Sequence, residues 1–178
     1  MKDTNRRDTL VQAAFERLAS HGFEGLRLRV IAEAAGIDHS TLHHYFPTRQ
    51  HLIEAVADFA ILQFRGTTPS GGSPDTRLQA HLATQARMMD ERPELFGVLR
   101  ELDLRAARDP AVRTVLARGE EGWRASLIEL LAEKPGIDAS PTADLIVATI
   151  KGLSFNPSRA NAVLGQLDKL LSGREMRR

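Results

Sequence analysis

The sequence contains no cysteine, and several kinds of chemistry are excluded with it. Disulfide bonds, thiolate nucleophiles and zinc sites built on cysteine all need a thiol. No apolar run approaches the roughly 20 residues that a membrane-spanning helix needs. The charged start, MKDTNRRDTL, lacks the apolar segment of a secretory signal. We therefore expect a cytoplasmic protein with no membrane partner.

A strong positive charge is missing as well. The formal net charge is +1, and the first 52 residues carry seven Lys or Arg against six Asp or Glu. Bulk electrostatics therefore gives little support for nucleic-acid binding, which must depend on where particular side chains lie. The sequence also lacks the GxSxG, phosphate-loop and GxGxxG motifs. We expect a protein that is not an enzyme and that uses no cofactor.

The composition that remains is that of a globular protein. The 178 residues are 42% hydrophobic and 26% charged, which is enough for one or two small domains with a real core. Apolar residues recur at helical spacing along the chain, and neither a strand pattern nor an internal repeat is found. The sequence predicts an all-α fold of about nine helices.

The stretch IAEAAGIDHSTLHHYFPTRQHL, residues 31–52, predicts a helix-turn-helix. Gly36 supplies the left-handed residue that ends the first helix, and Asp38 caps the second. Leu42 and Phe46 are four residues apart and therefore share a buried side. The remaining face of this second helix carries donors suited to phosphates and base edges, as a recognition helix does: His39, Ser40, Thr41, His43 and His44.

At these residues the chain resembles the TetR family of bacterial transcriptional regulators. The resemblance is close over roughly the first third of the chain, whereas beyond residue 65 only length, helicity and helix order agree. The matching residues are Leu10, Ala13, Ala14, Leu18, Gly22, Phe23, Ile31, Ala32, Ala35, Gly36, Ile37, Thr41, Leu42, Phe46, Arg49 and Leu52.

The resemblance implies two domains. Residues 1–52 are expected to form an N-terminal helix-turn-helix DNA-binding domain, and residues 53–178 a C-terminal helical domain for ligand binding and dimerisation. A helix over residues 48–65 links the two, and residues 66–74, GTTPSGGSP, form a linker. Later helices are predicted over 75–91, 93–108, 110–133, 141–155 and 158–172.

The resemblance also assigns candidate DNA contacts. Helix 2 starts near the DNA in this family, so Arg29 is a candidate base contact and Arg27 a candidate phosphate contact. Two solvated arginines with no such role are an equally good interpretation. In helix 3 we expect His39 and Thr41 to face bases. Phosphates are expected to contact His43, His44 and Tyr45.

Four positions depart from the usual family pattern. Leu26 replaces a hydroxyl residue that would cap helix 2 and contact phosphate. His43 replaces a tyrosine and Tyr45 a histidine. Since imidazole donates best when protonated, we expect DNA affinity to rise as pH falls through roughly 6.5. Arg49 replaces a lysine, and because a cation opposes the dipole at a helix N-terminus, a nearby phosphate would explain it.

The later helices carry two further predicted sites. Apolar residues of helices 5 to 7 are expected to line a pocket for a small-molecule effector of unknown identity, although each one singly is more often plain core: His81, Met88, Met89, Phe96, Leu99, Leu102, Trp123 and Leu127. Small residues and leucines of helices 8 and 9 predict a homodimer interface: Leu145, Ala148, Thr149, Gly152, Val163, Leu167, Leu170 and Leu171.

The sequence thus predicts a sequence-specific DNA-binding transcriptional regulator, a ligand-responsive repressor released from operator DNA by its effector. One alternative is a dimeric helical adaptor or ligand-binding protein that has lost DNA binding, which Leu26, His43 and the near-neutral charge support. Another is a metal site, because His39 and His43 lie one helical turn apart. No Glu lies between these two histidines and no third ligand is fixed, which weighs against the metal.

Overall fold

The structure is a computed structural model that describes residues 2–64 and 66–173, with side chains from residue 5 onward. Within these residues it is built from nine α-helices and contains no strand, so the predicted all-α fold is confirmed. The helices are α1 Lys2–His21, α2 Leu28–Ala34, α3 His39–Tyr45, α4 Arg49–Leu62, α5 Pro74–Glu91, α6 Pro93–Ala106, α7 Pro110–Ala132, α8 Ala139–Leu153 and α9 Ala160–Leu171. Short 3-10 turns lie at Gly22–Gly25 and Pro157–Arg159.

Local sequence signals fix the helix-turn-helix as expected. Gly36 has a φ of +63°, the left-handed conformation that glycine adopts without steric cost and that separates α2 from α3. The Asp38 carboxylate caps α3, and the Thr48 hydroxyl caps α4 by accepting from the amide of His51. The geometry of this region is therefore set by residues that are close in sequence.

Several predicted boundaries were wrong by a few residues. The helix predicted over 48–65 is α4, which ends at Leu62, before a turn in which Gly66 has a φ of +75°, while Arg65 lies outside the described residues. The linker predicted over 66–74 stops at Ser73, whose hydroxyl caps α5, because Pro74 is accepted in a first helical turn, where its missing N–H is not needed.

The last two helices also start at other residues than predicted. α8 begins at Ala139, two residues before Pro141, since proline is tolerated in the first turn. α9 begins at Ala160, because the preceding residues, Pro157–Arg159, form a 3-10 turn.

The described residues form two compact units. The first contains residues 2–63 and 94–119, and the second contains 64–93 and 120–173. α7 contributes residues to both units. Compactness does not show which residues bind DNA or ligand, so the functional division at residue 52 stays a prediction.

In the first unit α1 packs on α2 and α4, and α2 packs on α3. Its core includes fully buried large side chains from all four helices, each stabilising the fold by about 1.5–3 kcal/mol through burial: Leu10, Leu18, Ile31, Leu42, Phe46 and Leu52. This core holds α3, which is too short to be stable as an isolated helix.

The start of α7 lies along α4 within the first unit. Gln50 Nε2 donates to Asp109 Oδ1 over 3.2 Å, and Arg118 Nη2 donates to Asp58 Oδ1 over 2.7 Å. Gly119 lies directly against the Ile61 side chain, since a Cβ built on it would be 2.8 Å from Ile61 Cγ2. Residue numbers rise together along both helices, so α4 and this part of α7 run in the same direction.

The second unit is centred on α5, which packs mainly against α9. Two ion pairs join the start of α5 to the two residues that follow α7: Arg77 with Glu133 at 2.8 Å, and Asp75 with Lys134. Glu120 pairs with Lys151 of α8 at 2.6 Å. Among the described helices, none combines the length and the hydropathy needed to cross a lipid bilayer.

Candidate functional site

The N-terminus of α3 is organised by Asp38. Its carboxylate accepts from the Ser40 amide at 3.2 Å, from the Ser40 hydroxyl at 3.1 Å and from the Thr41 hydroxyl at 3.3 Å. These hydrogen bonds, the one from the Ser40 amide foremost, lower the pKa of the Asp38 carboxyl. The hydroxyls of Ser40 and Thr41, both predicted DNA contacts, are therefore held in place by a charged cap.

The two faces of α3 are clearly divided. Leu42 and Phe46 have 0% and 1% of their surface exposed. The Arg7 guanidinium lies 5.2 Å from the centroid of the Phe46 ring and covers it from the α1 side. The predicted contact residues are exposed or half-buried on the other face: His39, Ser40, Thr41, His43, His44 and Tyr45. Their roles toward DNA stay a prediction.

The aromatic rings of α3 pack against one another in two pairs. His39 and His43 meet edge to face, with ring centroids 4.6 Å apart, and His44 and Tyr45 do so at 5.4 Å. Nowhere in residues 2–64 or 66–173 do three His, Asp or Glu side chains form a group that could hold a metal ion. The ring contacts hold the imidazole and phenol groups on this face against their neighbours.

The arginines at the start of α2 are solvent-facing. Arg29 has 84% of its side chain exposed and pairs with Glu33 one turn later at 3.4 Å. Such a surface pair is worth only about 0.3–0.5 kcal/mol and is readily exchanged for another anion. Arg27 occupies the N-cap position and gives no side-chain cap, while Leu26 is fully buried in the core.

Arg49 has an intramolecular partner that the sequence did not indicate. Its Nη2 donates to the backbone carbonyl of Phe23, in the turn between α1 and α2. This hydrogen bond explains a cation at the start of α4 without any contact to phosphate. Arg49 remains exposed, so a role toward phosphate stays a prediction.

One open depression brings together arginines that are far apart in sequence. Arg27 and Arg49 line it with Arg105 of α6, which sequence reasoning missed because nothing in its local pattern relates it to the first helices. The guanidinium of Arg105 lies 5.7 Å from the centroid of the Phe23 ring. The other lining residues are Phe23, Glu24, Leu26 and Leu28. This basic depression lies at the entrance to α2, where a phosphate was expected.

The predicted pocket residues are divided between the two units. Phe96, Leu99 and Leu102 belong to the first unit, and the other five belong to the second. In the second unit the structure brings His81 and Trp123 together: the Trp123 Nε1–H donates to His81 Nε2 over 3.2 Å. His81, Met89 and Leu127 are buried, whereas Met88 and Trp123 are half-buried.

His81 is a buried histidine held in one tautomer. Its Nδ1 lies 3.0 Å from the Thr68 hydroxyl, and its Nε2 accepts from Trp123, so the ring proton is on Nδ1. Burial lowers the pKa of His81 to about 4, opposed in part by a hydrogen bond to the Thr67 backbone. The imidazole is therefore neutral at pH 7.

Gln85, one turn after His81 on α5, is a buried polar residue that sequence reasoning missed. Its side chain is fully buried, its Nε2 donates to the Thr67 hydroxyl over 3.4 Å, and its Oε1 has no hydrogen-bond partner. Its spacing from His81 was the available signal, but its partner, Thr67, lies in the segment predicted to be a linker.

Half of the predicted dimer residues are exposed. Leu145 and Leu170 have 53% and 61% of their surface exposed, large values for leucine, while Leu167 is buried at 8% and serves the core of its own chain. Ala148 and Gly152 are exposed, and Thr149, Val163 and Leu171 are half-buried. Phe155, just after α8, is 74% exposed and was not predicted as part of this face.

Comparison with known proteins gives consistent matches. Residues 10–56 match the family described as "Bacterial regulatory proteins, tetR family". The chain is 29% identical over 148 residues to the HTH-type transcriptional repressor KstR of Rhodococcus jostii (strain RHA1), covering 82% of this chain and 66% of KstR, just under two thirds of its length. It is 26% identical over 162 residues to the HTH-type transcriptional regulator BetI of Rhizobium meliloti (strain 1021), covering 88% and 80%.

A solved structure shares the fold over nearly the whole chain. The crystal structure of a transcriptional regulator from Rhodococcus sp. Rha1 superposes with a TM-score of 0.83, at 21% identity, covering 93% of this chain and 95% of that one. At this identity the likeness shows the fold alone. The fold of this chain, over the 93% that is covered, is therefore also found in a solved structure.

Proposed function

We propose that this chain belongs to the TetR family of bacterial regulatory proteins and is a sequence-specific DNA-binding transcription regulator. The observation that carries the proposal is α3, a short capped helix with one face in the core and a polar face open to solvent. This helix lies inside the matched residues 10–56. The repressor and regulator names of the two relatives support the same function.

The polar face of α3 is proposed to enter the major groove. His39 and Thr41 face base edges there, and Ser40 supports them through its bonds to Asp38. The remaining contacts are to phosphate, and they fix the protein's position rather than read sequence: Arg27, His43, His44, Tyr45 and Arg49. Arg29 is free to exchange Glu33 for a base edge.

Binding as a homodimer follows from the size of α3. Its seven residues span about 10 Å, at 1.5 Å per residue, and reach only a few base pairs. Two copies on a pseudo-palindrome, with half-sites about 34 Å apart or further, would give useful affinity. The exposed Leu145 of α8 and Leu170 of α9 support an interface formed by these helices.

Control by a small-molecule effector completes the proposal. An effector bound among α5 and α7 favours a state in which the two α3 copies no longer fit the operator, so the repressor is released. α7 supports this coupling because it contributes residues to both compact units. The protein then acts in the cytoplasm as a ligand-responsive repressor.

The test is binding of the purified protein to DNA from just upstream of its own gene, with a pool of genomic fragments as a second source. We expect saturable, sequence-selective binding that weakens steeply as salt rises, because phosphate contacts release counterions. A folded dimer that binds neither DNA source selectively would contradict the proposal and favour the helical adaptor.

A further inference from the structure

Five polar residues of the second unit form a buried network, named here the Gln85 cluster: Thr67, Thr68, His81, Gln85 and Trp123. His81 and Gln85 are fully buried, and the other three are half-buried. Nothing in the DNA-binding role uses these residues. Buried polar atoms in proteins normally have a hydrogen-bond partner, so each polar atom of the Gln85 cluster can be checked for one.

One buried side-chain oxygen of the Gln85 cluster has no hydrogen-bond partner. His81 uses both ring nitrogens, toward Thr68 and Trp123. The Thr67 hydroxyl donates to the Phe64 carbonyl over 2.9 Å, so it can only accept from Gln85, and the Gln85 amide group must therefore direct Nε2 toward it. Gln85 Oε1 remains, buried and without a partner.

An unpaired buried carbonyl oxygen is costly, because it loses its hydrogen bonds to water and gains none in return. A leucine or methionine at this position would avoid the cost. The α5 residues buried on either side of Gln85 in sequence are already apolar: Leu78, Leu82, Ala86 and Met89. The other buried polar residue of α5 is His81, whose two ring nitrogens both have partners, so Gln85 is the buried α5 residue that keeps an unpaired acceptor.

We propose that Gln85 Oε1 is the polar contact of the effector site, and that the effector is a neutral molecule with an apolar body and a hydroxyl group that donates to this oxygen. This inference rests on the proposed function, since it names the ligand class of that site. The Gln85 cluster contains no carboxylate, and its imidazole accepts from Trp123 and so carries a single proton. A charged ligand would find no counter-ion among these five residues.

The site also explains how an effector would act on the segment that follows α4. Residues 67–69 are held on α5 by three side-chain contacts: Gln85 with Thr67, His81 with Thr68, and Arg77 Nε with the Pro69 carbonyl at 3.2 Å. This segment begins five residues after the last residue of α4, Leu62. A hydroxyl bound to Gln85 changes the first of these contacts.

Trp123 is the sole tryptophan of the chain, so its fluorescence reports on the Gln85 cluster directly. The probes are neutral alcohols of increasing size, from cyclohexanol to 1-decanol, each paired with its methyl ether, which has the same body and no donor. Binding is measured by Trp123 fluorescence and, independently, by the rise in melting temperature that any ligand of the folded state produces.

We expect the wild-type protein to bind at least one alcohol roughly tenfold more tightly than its ether, as one hydrogen bond to a buried acceptor allows. Gln85→Leu and the unbranched Gln85→Met should reduce this preference to less than about twofold. Gln79→Leu is the matched control, because Gln79 is exposed on the same helix and should leave the preference unchanged. Circular dichroism establishes that each variant is folded.

Three results would overturn the inference: equal binding of alcohol and ether by the wild type, a preference that survives in both Gln85 variants, or no saturable binding across the series. The last would mean that Gln85 is paired by water only. DNA binding is measured on the same samples. Selective DNA binding with no alcohol preference would refute this inference alone, whereas alcohol preference without DNA binding would refute the regulator function alone.

Discussion

His81 is a titratable residue that the fold keeps uncharged. Its pKa is lowered to about 4 by burial, while a histidine in an unfolded chain titrates near 6.5. Between these two values the unfolded state binds more protons than the folded state. The contribution of His81 to stability is therefore complete above pH 6.5 and is lost as pH falls toward 4.

This difference gives a pH prediction. The free energy of unfolding should fall by up to about 3 kcal/mol through His81 between pH 6.5 and pH 4. Urea unfolding of the wild type and of His81→Gln, measured at several pH values, isolates the effect: the variant should show a flatter dependence. His21→Gln, at an exposed position, is the control and should keep the wild-type slope. Equal slopes for wild type and His81→Gln would contradict the prediction.

Two glycines of α7 give a matched pair of substitutions. Alanine at Gly119 would place a Cβ 2.8 Å from Ile61 Cγ2, a methyl group that cannot move without rotating the whole side chain. We expect a net loss of about 1–2 kcal/mol, since overpacking exceeds the gain in helix propensity. Gly122 has no atom within 4 Å of its added Cβ, so Gly122→Ala should stabilise by about 0.5–1 kcal/mol. Denaturant midpoints measure both, and a Gly119→Ala protein as stable as Gly122→Ala would show that α4 and α7 are not closely packed.

At the residue scale the sequence was informative where partners are near in the chain. Asp38, Gly36 and Thr48 do what their positions in the helix-turn-helix indicated. Gln85 and Arg49 were different, because their partners lie 18 and 26 residues away. No local pattern reveals such a partner, and only the packed structure brings the two together.

At the element scale α3 depends on its cap. Asp38→Ala removes the acceptor for the Ser40 amide and for the hydroxyls of Ser40 and Thr41. We expect lower affinity for the proposed operator, because the start of α3 becomes disordered. Asp38→Asn retains a capping oxygen and should retain most of the affinity. Titration of labelled operator DNA compares the two, and equal losses would show that the charge of Asp38, not its cap, is what matters.

The number and order of helices could be predicted from sequence, since long amphipathic segments bounded by Gly and Pro are strong signals. The exact ends of the helices were predicted less accurately. α4 ended three residues before its predicted end. α8 began two residues before Pro141, because proline fits a first turn as well as it breaks a helix. The packing of α4 along the start of α7 had no sequence signal at all.

At the scale of the whole molecule the exposed apolar face of α8 and α9 predicts assembly. If these helices form the proposed dimer interface, Leu145→Glu and Leu170→Glu should leave the protein monomeric, because a charge cannot be buried unpaired in an interface. Leu104→Glu is the control, since Leu104 is at least as exposed, at 68%, and lies in the first unit. Sedimentation velocity measures the outcome. Dimers that persist in both α8 and α9 variants would exclude this face as the interface.

The function proposed for this protein depends on α3 reading operator DNA. The most direct measurement is the affinity of purified protein for its operator, and for a set of single-base variants, across a salt series. We predict that His39→Ala lowers affinity and relaxes the preference at one base pair, that the double change His43→Ala with His44→Ala weakens binding to all sequences and flattens the salt dependence, and that His21→Ala changes neither. Wild-type affinity and sequence preference in all three proteins would contradict the assignment of α3 as the recognition helix.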